Sequence, residues 1–139
     1  MSRLFRRLGA RRVPGAAALA DAELSVVLTT DARIRAVNRR WRGKDRPTDV
    51  LSFPQMTVKE LLRLGVQARS GRRSPWCLGD VVISLERAKE QAVEHGRTYR
   101  QELRALLVHG VVHLLGYDHE ISPREERRMR RLERALLTR

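Results

Sequence analysis

Cysteine and aromatic residues are scarce in this chain of 139 residues, and each scarcity excludes a class of structure. The single cysteine, Cys77, excludes an internal disulfide and a multi-cysteine zinc ribbon, so a reducing, cytoplasmic setting is the default expectation. Aromatic residues make up 4% of the sequence, and Leu, Val and Ala therefore have to fill the core. No apolar run approaches the length of a membrane span, so we expect no membrane partner.

Lysine is also rare, whereas arginine is abundant. Of the 29 basic residues three are lysines and 26 are arginines, against 16 acidic residues, which gives a formal net charge of +13. Arginine matches phosphate oxygens with paired hydrogen bonds, and a positive excess of this size predicts salt-sensitive attraction to a polyanion, with nucleic acid ahead of an acidic membrane. A GC-rich genome would explain arginine in place of lysine, but not the excess of positive over negative charge.

The order of the predicted elements indicates one mixed domain over residues 21–139. Alternation from Leu24 to Thr29 predicts a strand, and Asp31 is placed to cap a helix whose inward face would hold Ile34, Val37 and Trp41. Two further strands are predicted over residues 49–53 and 78–84. Residues 1–20 are basic and then rich in alanine, and they predict an N-terminal helix or tail that is part of the domain or flanks it. A transit peptide is the alternative for this segment.

Four more helices are predicted, three of them from helix-capping patterns. Thr57 with Glu60, and Thr98 with Gln101, have the spacing of a capping box. Helices are also predicted from about Leu85 to Glu94 and from Ser122, where a proline occupies the first helical position. Together with the strands, these helices predict an α/β (α+β) fold: a small mixed sheet packed with about five helices.

Two histidines interrupt the apolar helix predicted over residues 98–115. His109 and His113 lie four residues apart and therefore share one face of the helix, about one turn from each other. Burying two neighbouring imidazoles is costly unless something partners them, and a zinc-like metal ion does so well. Histidines satisfied by the core or the surface are the alternative for such a pair.

A third histidine follows the end of this helix. Gly116 can take the left-handed conformation that ends the helix and reverses the chain, which would bring His119 back toward His109 and His113. Three ligands leave a fourth position open for water, as in catalytic zinc sites. The spacing matches that of metzincin metallopeptidases, but their catalytic glutamate is replaced here by Gly110, so peptide hydrolysis is not supported.

Several stretches together resemble the YbeY family of bacterial endoribonucleases. These stretches are residues 24–29, the segment from Asn38 to Pro54, residues 78–84, and the histidine motif from His109 to His119. The resemblance implies a small mixed sheet with helices and one zinc ion bound by three histidines. It also implies a single-strand-specific, metal-dependent endoribonuclease that acts in ribosomal RNA maturation, at the 3′ end of the small-subunit RNA, and in ribosome quality control.

The resemblance also assigns roles to single residues. His109, His113 and His119 match the metal ligands of the family, and Arg42 matches the arginine that is thought to act on the RNA phosphate. The chemistry is consistent, because zinc lowers the pKa of bound water or polarises a phosphoryl oxygen, and an arginine stabilises the charge that builds up on phosphorus oxygens. One solvated cation in an arginine-rich stretch is the alternative for Arg42.

The remaining candidates surround this centre. Asp118 is expected either to orient a ligand histidine from the second coordination sphere or to form the turn after Gly116. Ser52 and Asp80 are expected to line the site at strand ends. Candidate RNA-binding cations are Lys44 and the arginines of a predicted basic loop, Arg69, Arg72 and Arg73. For each of them a solvated surface residue is the alternative.

Three functions remain open at this point. The first is the metal-dependent endoribonuclease, with the ribosomal small subunit as partner and no nucleotide cofactor, cleaving through either hydroxide or the 2′-hydroxyl of the RNA. The second is a non-catalytic RNA-binding or ribosome-binding factor with a structural metal. The third is a metallohydrolase of another substrate, which the positive net charge disfavours.

Overall fold

A three-stranded mixed sheet forms the centre of the computed structural model, which describes residues 2–118 and 120–138. The strands are β1 (Ala22–Thr29), β2 (Val50–Pro54) and β3 (Trp76–Ser84). β3 is central, with β1 parallel to it on one side and β2 antiparallel to it on the other. The sequence predicted all three strands and the mixed sheet.

Six α-helices and one short 3-10 helix surround this sheet in the described part of the chain. The helices are α1 (Ser2–Gly9), α2 (Asp31–Arg42), α3 (Val58–Arg69), α4 (Leu85–Glu94), α5 (Tyr99–Leu114) and α6 (Pro123–Leu137), and the 3-10 helix is Ala16–Asp21. None of these helices is both long and apolar enough to cross a membrane.

Alternation along β3 divides the core into two parts. Val81 and Ile83 point into the main hydrophobic cluster, which α5 shares. Val82 points to the opposite face of the sheet, where it packs with Ile34 of α2 and Leu51 of β2. The sheet therefore lies between α2 and α5, and these two helices carry the candidate site residues Arg42, His109 and His113.

The predicted caps are confirmed at three helix starts. Thr57 and Thr98 each form a complete capping box, with Glu60 and Gln101 respectively. Ser122 accepts a hydrogen bond from the backbone N–H of Glu125 at the start of α6. The fourth predicted cap is wrong by one residue, because the hydroxyl of Thr30, not the carboxylate of Asp31, caps α2.

The N-terminal segment packs into the main core. Leu8, Val13 and Leu19 are buried there. Arg7 donates hydrogen bonds to the carbonyl oxygens of Ala135 and Leu136 at the end of α6, at 2.7 and 2.8 Å. The first helix, α1, is thus connected to the last helix, α6.

Two burial expectations are wrong. Trp41 is exposed, because the inward face of α2 ends at the buried Ile34 and Asn38. In β1 the expected alternation ends after Ser25, since Val26, Val27 and Leu28 are all exposed. β1 is an edge strand with one neighbouring strand, so the core does not cover all of its hydrophobic side chains.

Candidate active site

Helix α5 places His109 and His113 side by side. Their rings are 4.7 Å apart between centroids and inclined at 75°, and both residues are half-buried on the side of α5 that faces a cavity. The neighbouring positions Val108, Val111 and Val112 are buried in the main core and fix the rotation of the helix. The predicted placement of the two histidines on one face is confirmed.

Gly110 lies where α5 approaches the sheet most closely. A Cβ atom at this position would lie 2.7 Å from Cγ1 of Val81 and 3.2 Å from Oγ of Ser52. The carbonyl oxygen of Gly110 accepts a hydrogen bond from the Ser52 hydroxyl at 3.0 Å. A glutamate here would point into the sheet, so the geometry gives a physical reason for the missing metzincin base.

Glu133 of α6 holds the ring of His109. Its Oε1 lies 2.5 Å from Nδ1 of His109, and the carboxylate is mostly buried. Burial lowers the pKa of His109, but the hydrogen bond and negative charge of Glu133 and the charge of Asp49 outweigh it, so the pKa is raised above its usual value. With Nδ1 engaged by a carboxylate, Nε2 is the ring nitrogen that is oriented for a metal ion.

Asp49 adds a second negative charge beside this histidine. Its carboxylate is held by the backbone N–H of Val50 at 2.7 Å and by the side-chain amide of Gln91 at 3.2 Å. It lines the same cavity as His109. Two fixed carboxylates near an imidazole pair make the site favourable for a cation.

A cavity of about 670 Å³ joins these groups to the predicted arginine. Six of its lining residues were site candidates in the sequence: Arg42, Lys44, Ser52, His109, His113 and Asp118. The others are Asn38, Arg46, Thr48, Asp49, Val50, Leu51, Pro54, Gly116, Tyr117 and Glu120. Cations therefore lie on the α2 side of the cavity, and imidazoles lie on the α5 side.

Arg42 is anchored over strand β2. Its guanidinium donates a hydrogen bond to the carbonyl oxygen of Ser52 and lies 5.2 Å from the centroid of the Phe53 ring. Because the Ser52 hydroxyl also donates to Gly110, one residue of β2 connects the arginine to the histidine helix. This double contact positions Arg42 toward the cavity while its side chain stays exposed.

The third predicted ligand, His119, lies outside the described residues. Gly116 adopts a φ of +96° directly after α5, which only glycine takes without strain, and its N–H donates to the carbonyl oxygen of His113 at 3.0 Å. No three His, Cys, Asp or Glu side chains form a metal-binding group within residues 2–118 and 120–138. The two described imidazoles fit a zinc-type ion by their donor chemistry and by the carboxylate behind His109.

The other predicted residues have different surroundings. Asp118 accepts a hydrogen bond from the backbone N–H of Glu120 at 2.8 Å, which is the turn-forming alternative. Asp80 is not among the lining residues, and its carboxylate lies 3.5 Å from the amide of Gln55.

The arginines of the predicted basic loop do not line this cavity either. Arg69 is instead the last residue of α3, and Arg73 pairs with Asp21 at 3.0 Å. Arg72 is exposed.

Sequence reasoning missed Glu133 and Asp49. Glu133 follows Met129 by four residues and precedes Leu136 by three, so it lies on the inward side of α6. This spacing is the sequence signal that could have identified Glu133 as an inward-facing carboxylate. Asp49 directly precedes the partly buried strand β2, and its carboxylate is held by Gln91, which lies 42 residues further along the chain.

Comparison with known proteins finds one family throughout the chain. The family model described as endoribonuclease YbeY matches residues 3–139. A curated Persephonella marina protein named endoribonuclease YbeY is 50% identical over 105 residues, which cover 76% of this chain and 61% of that protein. A protein of the same name from an Anaeromyxobacter species is 50% identical over 133 residues, which cover 94% of this chain and 62% of that protein. The chain thus spans about three fifths of the length of these relatives.

A solved structure shares the fold. The solution structure of a Thermotoga maritima protein superposes with a TM-score of 0.58 at 27% sequence identity, covering 96% of this chain and 76% of the other.

Proposed function

The chain belongs to the YbeY family of endoribonucleases, and from that premise we propose that it is a zinc-dependent hydrolase that cuts single-stranded RNA at the cavity lined by α2, β2 and α5. The observation that carries the proposal is the convergence of His109, His113 and Arg42 on one cavity. The two histidines lie on α5 and the arginine on α2, and together they combine metal-ligand chemistry with a phosphate-binding cation.

His109, His113 and His119 are the residues that would hold the ion. Glu133 keeps the His109 ring oriented, and Asp49 contributes negative charge beside it. When bound, zinc supplies Lewis acidity toward a phosphoryl oxygen. Three imidazoles, one of them backed by a carboxylate, are a donor set that is found in catalytic zinc sites.

Arg42 would bind the phosphate that is cut. Cleavage of a phosphodiester increases the negative charge on its non-bridging oxygens, and a guanidinium held in advance stabilises that charge without having to reorganise. The contacts with Ser52 and Phe53 supply this prior positioning. Lys44 and Arg46 line the same side and would hold the neighbouring phosphates.

Ribosomal RNA is the substrate that we propose, with the 3′ end of the small-subunit RNA and ribosome quality control as the biological setting, in the cytoplasm. Family membership supports this substrate, and so does a net charge of +13, which favours a polyanion held by its backbone. Arg42, Lys44 and Arg46 line one side of the cavity, and a row of cations of this kind would follow the backbone of a single strand.

Cleavage of labelled single-stranded ribosomal RNA tests the proposal. Wild-type protein should cut, and a chelator or His113→Ala should abolish cutting. Arg42→Ala should slow it by about 100-fold or more, as loss of one transition-state donor does. Arg39→Ala is the matched control, because Arg39 lies on the same helix outside the cavity.

Two results would contradict the proposal. Equal cutting by all samples would indicate a contaminating nuclease. RNA binding without cutting by every sample would indicate a binding factor that is not an enzyme.

A further inference from the structure

A second groove continues the candidate active site on the far side of Tyr117. It has a volume of about 610 Å³ and shares Gly116 and Tyr117 with the first cavity. Its walls come from residues 11–16, from α3 and from the start of α6. A chain that leaves the histidines past Tyr117 would therefore enter this groove directly.

The rim of the groove is basic. Four arginines line it, against one carboxylate: Arg11, Arg12, Arg69 and Arg128, with Glu125. Glu125 is paired with Arg128 at 2.8 Å, so the N-terminal arginines and Arg69 provide positive charge that this carboxylate does not offset. Such a rim favours a ligand with several negative charges.

The floor of the groove is apolar and partly aromatic. Val58 and Leu62 of α3 are 42% and 54% exposed, although both are large hydrophobic residues. Tyr117 lies beside them, and the guanidinium of Arg128 is 5.9 Å from the centroid of its ring. Single exposed hydrophobic residues need no explanation, but here they line one groove together with four arginines.

We propose that this groove binds the part of a single-stranded RNA that continues from the cleaved phosphate, with bases against Val58, Leu62 and Tyr117 and phosphates against the arginine rim. The inference rests on the function proposed above and extends it to the neighbouring nucleotides. An apolar or aromatic floor with a basic border is the arrangement by which proteins bind single strands without reading sequence. Charge complementarity and continuity with the site both favour this occupant.

Equilibrium binding of fluorescein-labelled oligouridylates tests the groove, with the RNA checked for integrity after each titration. Arg12→Ala and Arg69→Ala should each weaken binding of a long oligouridylate several-fold. Each should also reduce the slope of log affinity against log salt by about 0.7, the value for one phosphate contact on a single strand. Arg63→Ala is the matched control, since Arg63 lies on α3 outside the groove and should leave both quantities unchanged.

The length of the RNA separates the groove from the active site. Short oligouridylates that fill only the first cavity should bind the groove variants and wild type equally, and the difference should emerge as the RNA lengthens. Equal binding by Arg12→Ala, Arg69→Ala and Arg63→Ala at every length would overturn the inference. A poly-glutamate peptide that binds more tightly than an oligouridylate of equal charge, and that loses affinity for the groove variants, would also overturn it and would indicate an acidic protein partner.

Failure of the proposed function would give a different result. If the protein never cuts RNA but the two groove variants still lose length-dependent affinity, the groove stands and the endoribonuclease proposal falls. If cutting depends on His113 and Arg42 while the groove variants bind RNA like wild type, the endoribonuclease proposal stands and the groove proposal falls.

Discussion

At the scale of single residues, Glu133 has the most specific contact in the candidate site. Its carboxylate reaches His109 from a helix 24 residues further along the chain and fixes which ring nitrogen faces the cavity. Carboxylates behind metal-binding histidines orient the ring and raise its basicity as a ligand. Glu133 is therefore a positioning residue that acts through His109.

Substitution of Glu133 should weaken metal binding in a graded way. We expect Glu133→Gln to lower zinc affinity and Glu133→Ala to lower it further, by about 10- to 100-fold in all, since glutamine retains an acceptor without the charge. Competition against a chromophoric chelator measures this affinity. Glu126→Gln is the control on the same helix, and equal affinity of the Glu126 and Glu133 variants would contradict the assignment.

Gly110 offers a test in which two effects oppose each other. Helix propensity alone predicts that Gly110→Ala stabilises the protein by about 0.5–1 kcal/mol. The added methyl would meet Val81, and overpacking of this kind costs about 1–3 kcal/mol. We expect a net decrease in the free energy of unfolding, measured in urea. A variant as stable as wild type would show that α5 has room at this position.

The sequence predicted the two histidines of the site but not the residues that contact and orient this part of α5. A four-residue spacing is a local signal, so the spacing alone is enough to place His109 and His113 on one face of a helix. The contacts of Glu133 with His109, and of Ser52 with Gly110, depend on how α6 and β2 pack against α5. No local pattern contains that information, because many side chains lie at equivalent offsets on the same helices.

At the scale of elements, α5 carries the site and begins at a capping box. Thr98 accepts a hydrogen bond from the N–H of Gln101 at 3.1 Å, and the Gln101 side chain accepts one from the N–H of Thr98 at 2.9 Å. These bonds satisfy donors that the first turn of a helix leaves open. The start of the site helix is thus set by two side chains more than two turns from His109.

Loss of this cap should reduce stability. We expect Thr98→Ala to lower the free energy of unfolding by about 0.5–2 kcal/mol, the usual cost of removing such a cap. Urea unfolding measures the effect, and Ser74→Ala in an exposed loop is the control. If the two variants were equally stable, the capping box would contribute nothing to α5.

Helix caps and periodicity predicted where the elements lie, but not which of their side chains are buried. Capping boxes are short-range and chemically distinctive, so α3 and α5 began where the sequence indicated. The exposed valines of β1 and the exposed Trp41 could not be foreseen, because exposure depends on which neighbours cover an element. The groove beside Arg69 could not be predicted either, because the sequence indicates a basic loop at this residue, whereas the structure extends α3 to it.

At the scale of the whole molecule, seven basic side chains line two adjoining cavities. Arg42, Lys44 and Arg46 line the first, and Arg11, Arg12, Arg69 and Arg128 line the second. The imidazoles lie in the first cavity beside two fixed carboxylates, Asp49 and Glu133, which offset positive charge locally. The same fold thus provides a site for a cation within a surface that attracts a polyanion.

The central claim is that RNA cleavage depends on a metal ion held by the histidines, and a zinc titration tests it most directly. Metal-free protein would receive zinc in steps, with bound zinc and the rate of single-stranded RNA cleavage measured in the same samples. We predict that the rate rises in proportion to bound zinc and saturates at one ion per chain, while His113→Ala stays inactive at every zinc concentration. Full activity without zinc, or a rate unrelated to bound zinc, would contradict the account.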